Sequence, residues 1–233
     1  MPGLLTILVP VNDKKGIKII SPNVVSKGRP KGDTYYKEIA SKYEEKRKKQ
    51  AWWYVEQDQM AQLLDQLPDG MSVVDIPFGT GRFVPMYRKK GFEIAGLDAS
   101  EDMISTAQKI LGSDFDGIDA RVGDAAALPF KDKEFDLLVS TRFLRDIVVF
   151  SVAKDILREF ARITKKYAII QLGHNRTTGF TPHENSPMGG WLSEMELTKL
   201  LNSYGFEVVE KRLVLQRNEE GTDIYHILCK MAP

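Results

Sequence analysis

The chain has 233 residues, 42% hydrophobic and 28% charged, which suits one domain with a full core and excludes a disordered or fibrous chain. Its single cysteine, Cys229, excludes an internal disulfide and a multi-cysteine zinc site, and it agrees with a reducing cytoplasm. Net charge is +1, yet residues 1–50 carry 12 Lys and Arg against 5 Asp and Glu, so a segment of +7 precedes a body of −6. Such a basic arm can meet nucleic acid, an acidic partner or the acidic body of its own chain, and the last needs no further assumption.

Residues 1–33 read as a basic appendage. Leu4–Val9 and Ile17–Ile20 are short strand candidates around Asn12-Asp13-Lys14-Lys15-Gly16, and Pro22, Gly28, Pro30 and Gly32 follow as a linker. The apolar run Leu4–Val9 lacks a preceding basic flank and is far shorter than the roughly 20 residues that span a bilayer, so neither export nor membrane anchoring is expected. Residues 34–233 read as one domain, opened by a helical cover over 34–67 in which Trp53, Met60, Leu64 and Leu67 share one face. Pro68-Asp69-Gly70 stops this helix. The Lys42–Lys49 charge run includes Glu44 and Glu45 and reads as a solvated helix face.

Beyond residue 70 the pattern alternates. Strand-like runs at Ser72–Ile76, Phe92–Leu97, Gly117–Val122, Phe135–Ser140 and Tyr167–Leu172 are separated by helical patterns that include Glu101–Leu111 and Ala153–Ile163. This predicts an α/β fold with a doubly wound, mostly parallel sheet covered on both faces. Ser193 with Glu196 predicts a capping box opening a helix to Tyr204; Phe206–Gln216 and Asp223–Cys229 then flank Asn218-Glu219-Glu220-Gly221 as an antiparallel hairpin. These are seven strands in all.

The chemistry concentrates at the first strand-to-helix turn. In Val73-Val74-Asp75-Ile76-Pro77-Phe78-Gly79-Thr80-Gly81-Arg82, two glycines let the backbone approach a ligand closely. Asp98 ends the second strand 19 residues after Gly79, where a carboxylate can accept both hydroxyls of a ribose. A dinucleotide fingerprint would need glycine at position 84, which is Val84, so a pyrophosphate reader is disfavoured.

With these pieces in order, and with Gly123-Asp124-Ala125-Ala126-Ala127-Leu128-Pro129-Phe130 and Phe135-Asp136-Leu137-Leu138-Val139-Ser140 behind them, the sequence resembles the class I S-adenosylmethionine-dependent methyltransferases, most closely the group with quinone C-methyltransferases and many small-molecule methyltransferases. The resemblance covers about residues 70–230. It implies a Rossmann-like sheet and S-adenosyl-L-methionine as cofactor, with S-adenosyl-L-homocysteine as product. It also implies a cofactor site of Asp75, Pro77, Gly79, Thr80, Gly81, Asp98, Ala99, Asp124, Ala125 and Ser140. Gly79 and Gly81 would line the methionine part, Asp98 the ribose, and Asp124 with the Ala125 amide the adenine edge. The family usually has glycine where this chain has Pro77, which cannot donate a backbone hydrogen bond, so the methionine end should be held differently.

Ligands of open α/β sheets lie outside the carboxyl ends of the strands. The acceptor-side candidates are therefore Arg142 and Arg145 after the fourth strand and His174 and Asn175 after the fifth, with Tyr36, Tyr43 and Trp53 from the helical cover. His174 is the candidate general base. Residues 173–192 carry no clear element and read as a binding loop. Ser140-Thr141-Arg142-Phe143 stands where amino-methyltransferases of nucleic acids carry an Asn/Asp-Pro-Pro-aromatic motif, and Cys229 is far from the fourth strand, so cytosine C5 chemistry is set aside. The expected function is methyl transfer to a small-molecule acceptor by in-line displacement, with no metal and no membrane, and with nucleic acid disfavoured. The alternatives are a non-catalytic cofactor-binding subunit and an RNA or protein methyltransferase. The basic arm and an edge hairpin also point toward a homo-oligomer.

Overall fold

A computed structural model describes residues 48–148, 152–176, 181–182, 190–217 and 221–232. The appendage 1–33 and the first part of the helical cover, with Tyr36 and Tyr43, lie outside the described residues. Helix α1 (Ala51–Leu64) leads to β1 (Ser72–Asp75), α2 (Val84–Lys89), β2 (Glu93–Asp98) and α3 (Glu101–Leu111). β3 (Asp119–Val122), β4 (Phe135–Ser140), α4 (Leu144–Ile147), α5 (Val152–Ile163) and β5 (Thr164–Asn175) follow. Two short strands, β6 (Thr181–Pro182) and β7 (Gly190–Trp191), precede α6 (Glu194–Ser203), β8 (Phe206–Arg217) and β9 (Thr222–Met231).

Seven of these strands form one sheet in the order β3-β2-β1-β4-β5-β9-β8, parallel through β5 and antiparallel in the β9-β8 hairpin. The order reverses between β1 and β4, and a crevice opens outside the carboxyl ends of the strands at such a switch point. The expected α/β architecture and the seven strands are therefore present.

Both faces of the sheet are covered, which the near-continuous apolar runs require. On one face Met60, Leu63 and Leu64 of α1 pack with Phe83, Tyr87, Leu137, Ile169 and Leu228. On the other, Ile156, Leu157 and Phe160 of α5 and Leu197 and Leu201 of α6 pack with Leu138, Ile170 and Ile227. Ile169 and Ile170 fall in opposite cores because successive strand side chains alternate, so along β5 the odd positions face α1 and the even positions face α5 and α6. Each fully buried aliphatic or aromatic side chain contributes roughly 1.5–3 kcal/mol.

Caps fix the helices that aim at the crevice. The Ser100 hydroxyl accepts from Met103 N at 3.3 Å, and Glu101 and Asp102 occupy the first turn of α3, where carboxylates complement the helix dipole. The Ser193–Glu196 capping box opens α6 as the sequence predicts. The structure differs from expectation in β5, which continues to Asn175 in place of a loop, because residues 167–175 pair in unbroken register with β9.

Two glycines are demanded by space. Gly96 of β2 lies under the Phe78 ring, and a Cβ there would be 2.2 Å from Phe78 Cδ2. Gly81 has φ +67°, and a Cβ there would be 2.7 Å from Leu111 Cδ1. The Phe78 N–H donates to Leu97 O at 2.8 Å, so the turn after β1 is tied to β2 by backbone as well as by the ring. Gly96→Ala should therefore displace Phe78 and lower stability by about 1–3 kcal/mol in urea unfolding, the usual cost of overpacking. Unchanged stability would mean that the Phe78 ring moves freely.

Candidate functional site

The turn after β1 brings the glycine backbone onto the end of β2. Gly79 has φ +57°, and its N–H donates to Asp98 Oδ2 at 2.8 Å. Asp98 Oδ1 accepts from Ser100 N at 2.9 Å. Asp98 is buried, and burial pushes its carboxyl up while the N–H groups of Ser100, Gly79 and Ala99 pull it back. Each carboxylate oxygen has two lone pairs, so these bonds leave acceptor capacity for a ligand. The Ile76–Pro77 peptide is cis, and Thr80 beside the glycines is buried.

Four further cofactor-site candidates stand at or just beyond strand ends. The Ser140 hydroxyl at the end of β4 is buried and has no hydrogen-bond partner among the described residues. Buried polar groups are normally paired, so a hydroxyl left open at a strand end is suited to a ligand. Asp124 is exposed and accepts from Ala126 N through Oδ1 at 2.8 Å, which closes a turn; Ala125 beside it is buried. Asp75 behaves differently. It lies beneath the turn, 2% exposed, and accepts from Tyr87 Oη at 3.0 Å. Burial pushes its carboxyl up to about 7, opposed by the Tyr87 hydrogen bond and by Arg82 and reinforced by Asp98.

Sequence reasoning named Arg142 but missed the buried carboxylate on which it converges. Glu56 of α1 is fully buried and accepts from Arg82 Nη1 at 2.6 Å, from Arg142 Nε at 3.0 and 2.9 Å, and from Gln171 Nε2 at 2.5 Å. A further bond comes from Arg142 Nη2. Burial alone would raise the carboxyl, but the two guanidiniums overcome it and hold Glu56 at about 2. Gln171 Oε1 in turn accepts from Arg142 N at 3.0 Å, and Arg82 Nη2 donates to Thr141 Oγ1 at 3.2 Å. Arg142 sits at φ +56°, a conformation that costs a non-glycine residue energy and is held here by the Gln171 and Glu56 bonds. His226 Nε2 lies 3.2 Å from Glu56 O, and burial pushes that imidazole down to about 4.

On the acceptor side, Trp52 lies against two cations, with Arg142 Cζ 4.0 Å and Arg145 Cζ 5.6 Å from its ring centroid. Trp53 is half-buried and lines a cavity of about 190 Å³ with Thr80, Gly81 and Arg82. That cavity is smaller than the roughly 300–1,000 Å³ of ordinary ligand pockets and reaches neither Asp98 nor Asp124. It flanks the crevice. Asn175 is buried, with its N–H donating to Leu192 O at 3.0 Å.

His174 stands on an even position of β5, on the face opposite Gln171 and α1. Its ring stacks on Tyr225 at 5.0 Å, its Nδ1 lies 3.0 Å from Asn175 O, and it is 4% exposed. The strand end expected to aim it at the crevice continues past it, so the structure brings Gln171, not His174, to the Arg82–Arg142–Glu56 centre. No group of three or more potential metal ligands and no helix long and apolar enough to cross a membrane occurs among the described residues.

Residues 74–171 match the family model described as "Methyltransferase domain", a span from β1 through Gln171. The demethylmenaquinone methyltransferase of Thermotoga maritima is 36% identical over 115 residues, 47% of this chain and 47% of that protein. The chain thus spans about half the length of the curated relatives it matches. Among solved structures, a chain from the complex between the Haloferax volcanii Trm112 methyltransferase activator and a putative methyltransferase superposes with a TM-score of 0.64 at 20% identity, covering 88% of this chain and all of that one. The Burkholderia thailandensis 1,6-didemethyltoxoflavin-N1-methyltransferase, solved with S-adenosylhomocysteine, gives 0.61 at 15% identity, covering 84% and 86%. The fold is shared with these solved structures, and residues 74–171 match a methyltransferase domain.

The Asp75 carboxyl gives a pH test of the turn. In the native state it holds a proton up to about pH 7 that the unfolded chain loses near 3.8. Its contribution to stability is therefore fully present below about pH 4 and is lost as pH rises through 7. Asp75→Asn removes this dependence, so its urea midpoint should fall less than that of the wild type between pH 4 and 8. Parallel curves would show that Asp75 is ionised throughout.

Proposed function

We propose that the chain binds S-adenosyl-L-methionine across the carboxyl ends of β1, β2 and β4 and transfers its methyl group to a small-molecule acceptor, leaving S-adenosyl-L-homocysteine. The observation that carries this reading is Asp98: a buried carboxylate, fixed by the Gly79 and Ser100 N–H groups with lone pairs to spare, inside a segment that matches the methyltransferase domain. A vicinal diol is the ligand such a carboxylate suits. The cofactor supplies a methyl carbon on a sulfonium, and the protein supplies orientation and exclusion of water.

In this reading Asp98 accepts the ribose hydroxyls, and Asp124 uses Oδ2 for the adenine amino group, with the Ala125 amide beside it. Gly79, Thr80 and Gly81 line the methionine end. Pro77 has no N–H to offer, and the Gly79 N–H already donates to Asp98. The methionine end is then held by neighbours such as the open Ser140 hydroxyl. Helix α1, with Trp52 and Trp53, closes the crevice. The curated relatives support an acceptor of the quinone type.

Asp98→Ala should weaken S-adenosylhomocysteine binding by about 1.5–3 kcal/mol in calorimetry, the range for hydrogen bonds to a charged group. Unchanged affinity in the folded variant would remove Asp98 from the site. Turnover is tested by mass spectrometry on demethylated quinols and on a pooled metabolite extract. Cofactor binding with no methylated product would favour the non-catalytic subunit, and product only on RNA or protein would favour the macromolecular acceptors.

His174 is buried with its ring stacked on Tyr225, its Nε2 has no hydrogen-bond partner among the described residues, and in this reading it packs the end of β5. His174→Ala should lower turnover less than tenfold, whereas loss of a general base costs about 10²–10⁴. A loss of 100-fold or more with S-adenosylhomocysteine affinity retained would restore it as the base.

A further inference from the structure

Arg82 directly follows Gly81, and Arg142 stands two residues beyond Ser140, so two guanidiniums flank the glycine turn and the end of β4. Both converge on one buried carboxylate, Glu56, which reaches them from α1. We propose that Glu56 sets the charge of the methyl-donor subsite, a positioning residue that allows a sulfonium cation to bind beside Arg82 and Arg142. The proposal rests on the reading that the crevice takes S-adenosyl-L-methionine, and it adds how the chain tolerates that ligand's positive charge.

The physical problem is specific to the donor. S-adenosylmethionine is a cation at sulfur, and S-adenosylhomocysteine is neutral there. Two largely buried guanidiniums beside the turns after β1 and β4 would, without the Glu56 counter-charge, repel the first and not the second. Glu56 returns one negative charge to the pair and draws both guanidiniums toward α1. Among the described residues around Arg82 and Arg142, burial keeps Asp75 protonated up to about pH 7 and His226 uncharged down to about pH 4, and Asp98 is held by the Gly79 and Ser100 N–H groups, while Glu56 is ionised down to about 2 and bonds both guanidiniums. At a separation on the order of 10 Å and an effective dielectric of about 20, one unit charge changes the affinity for a cation by roughly tenfold or more.

The same contacts hold α1 in place, so a merely structural Glu56 would weaken both ligands alike when lost. The readout that separates the two roles is the ratio of affinities. Calorimetry on the full chain would measure S-adenosylmethionine and S-adenosylhomocysteine with the wild type, Glu56→Gln and Arg142→Gln, alongside thermal unfolding of each. Glu56→Gln should shift the ratio against S-adenosylmethionine by about tenfold. Arg142→Gln, which removes a cation and leaves Glu56 with Arg82, should shift it in favour by a similar factor. If Glu56→Gln does not fold, Arg142→Gln and the charge-restoring pair Glu56→Gln/Arg142→Gln decide: the single variant should move the ratio and the pair should return it to the wild-type value. Equal weakening of both ligands, or a ratio unmoved by Arg142→Gln, would overturn the proposal and leave Glu56 a structural clamp. A wild type that binds neither ligand would defeat the cofactor reading itself, whereas a wild type that binds both with an unmoved ratio defeats only this inference.

Discussion

A carboxylate withdrawn from water has to be answered by cations and donors held in fixed positions, and Glu56 imposes that condition on the whole crevice. Removing one partner from a buried ion pair commonly costs about 3–5 kcal/mol, because the remaining charge is stranded. The partners of Glu56 come from the turn after β1, the turn after β4 and the middle of β5, and the carboxylate sits on the covering helix. No one of these segments can shift without breaking a charge-assisted bond. Such a cluster need not add net stability, since desolvation offsets much of the Coulomb attraction. Its effect is to hold α1 in a single geometry over the strand ends.

The second constraint is steric and operates on the other side of the turn. The glycine at position 96 lets Phe78 lie flat on β2, and that contact together with the Phe78 N–H to Leu97 O bond delivers Gly79 to Asp98. A small residue in one strand thus determines where a backbone N–H in another loop points. Packing and polar geometry are linked here because interiors are close to crystal density and transmit displacement.

The range of each interaction decides how much of this architecture is legible in the sequence. The α3 cap at Ser100, the capping box at Ser193 and the alternation of strands and helices rest on residues a few positions apart, so they can be read locally. The glycine turn and Asp98 are legible because their spacing is set within one βαβ unit. Glu56 is not: Arg82, Arg142 and Gln171 stand 26, 86 and 115 residues away, and a lone Glu on an amphipathic helix carries no signal of burial. His174 reads as a strand end because the apolar run stops at Leu172. The pairing that carries β5 on to Asn175 lies with β9, a strand about 50 residues downstream whose register no local pattern encodes.

Asp75 and Asp98 end adjacent parallel strands, yet their surroundings drive them to different work. Asp75 is buried beside the Tyr87 hydroxyl, and burial keeps its proton up to about pH 7 although the Tyr87 bond and Arg82 oppose it. Asp98 is also raised by burial, but three backbone N–H groups favour its ionised form. Placing both as anions would set like charges side by side beneath the same turn, and each raises the cost of ionising the other. A protonated Asp75 relieves that repulsion, so the negative charge at these two strand ends is concentrated on Asp98. Ligand binding at Asp98 would exclude water further and strengthen the coupling, making the proton on Asp75 harder to lose when the crevice is filled.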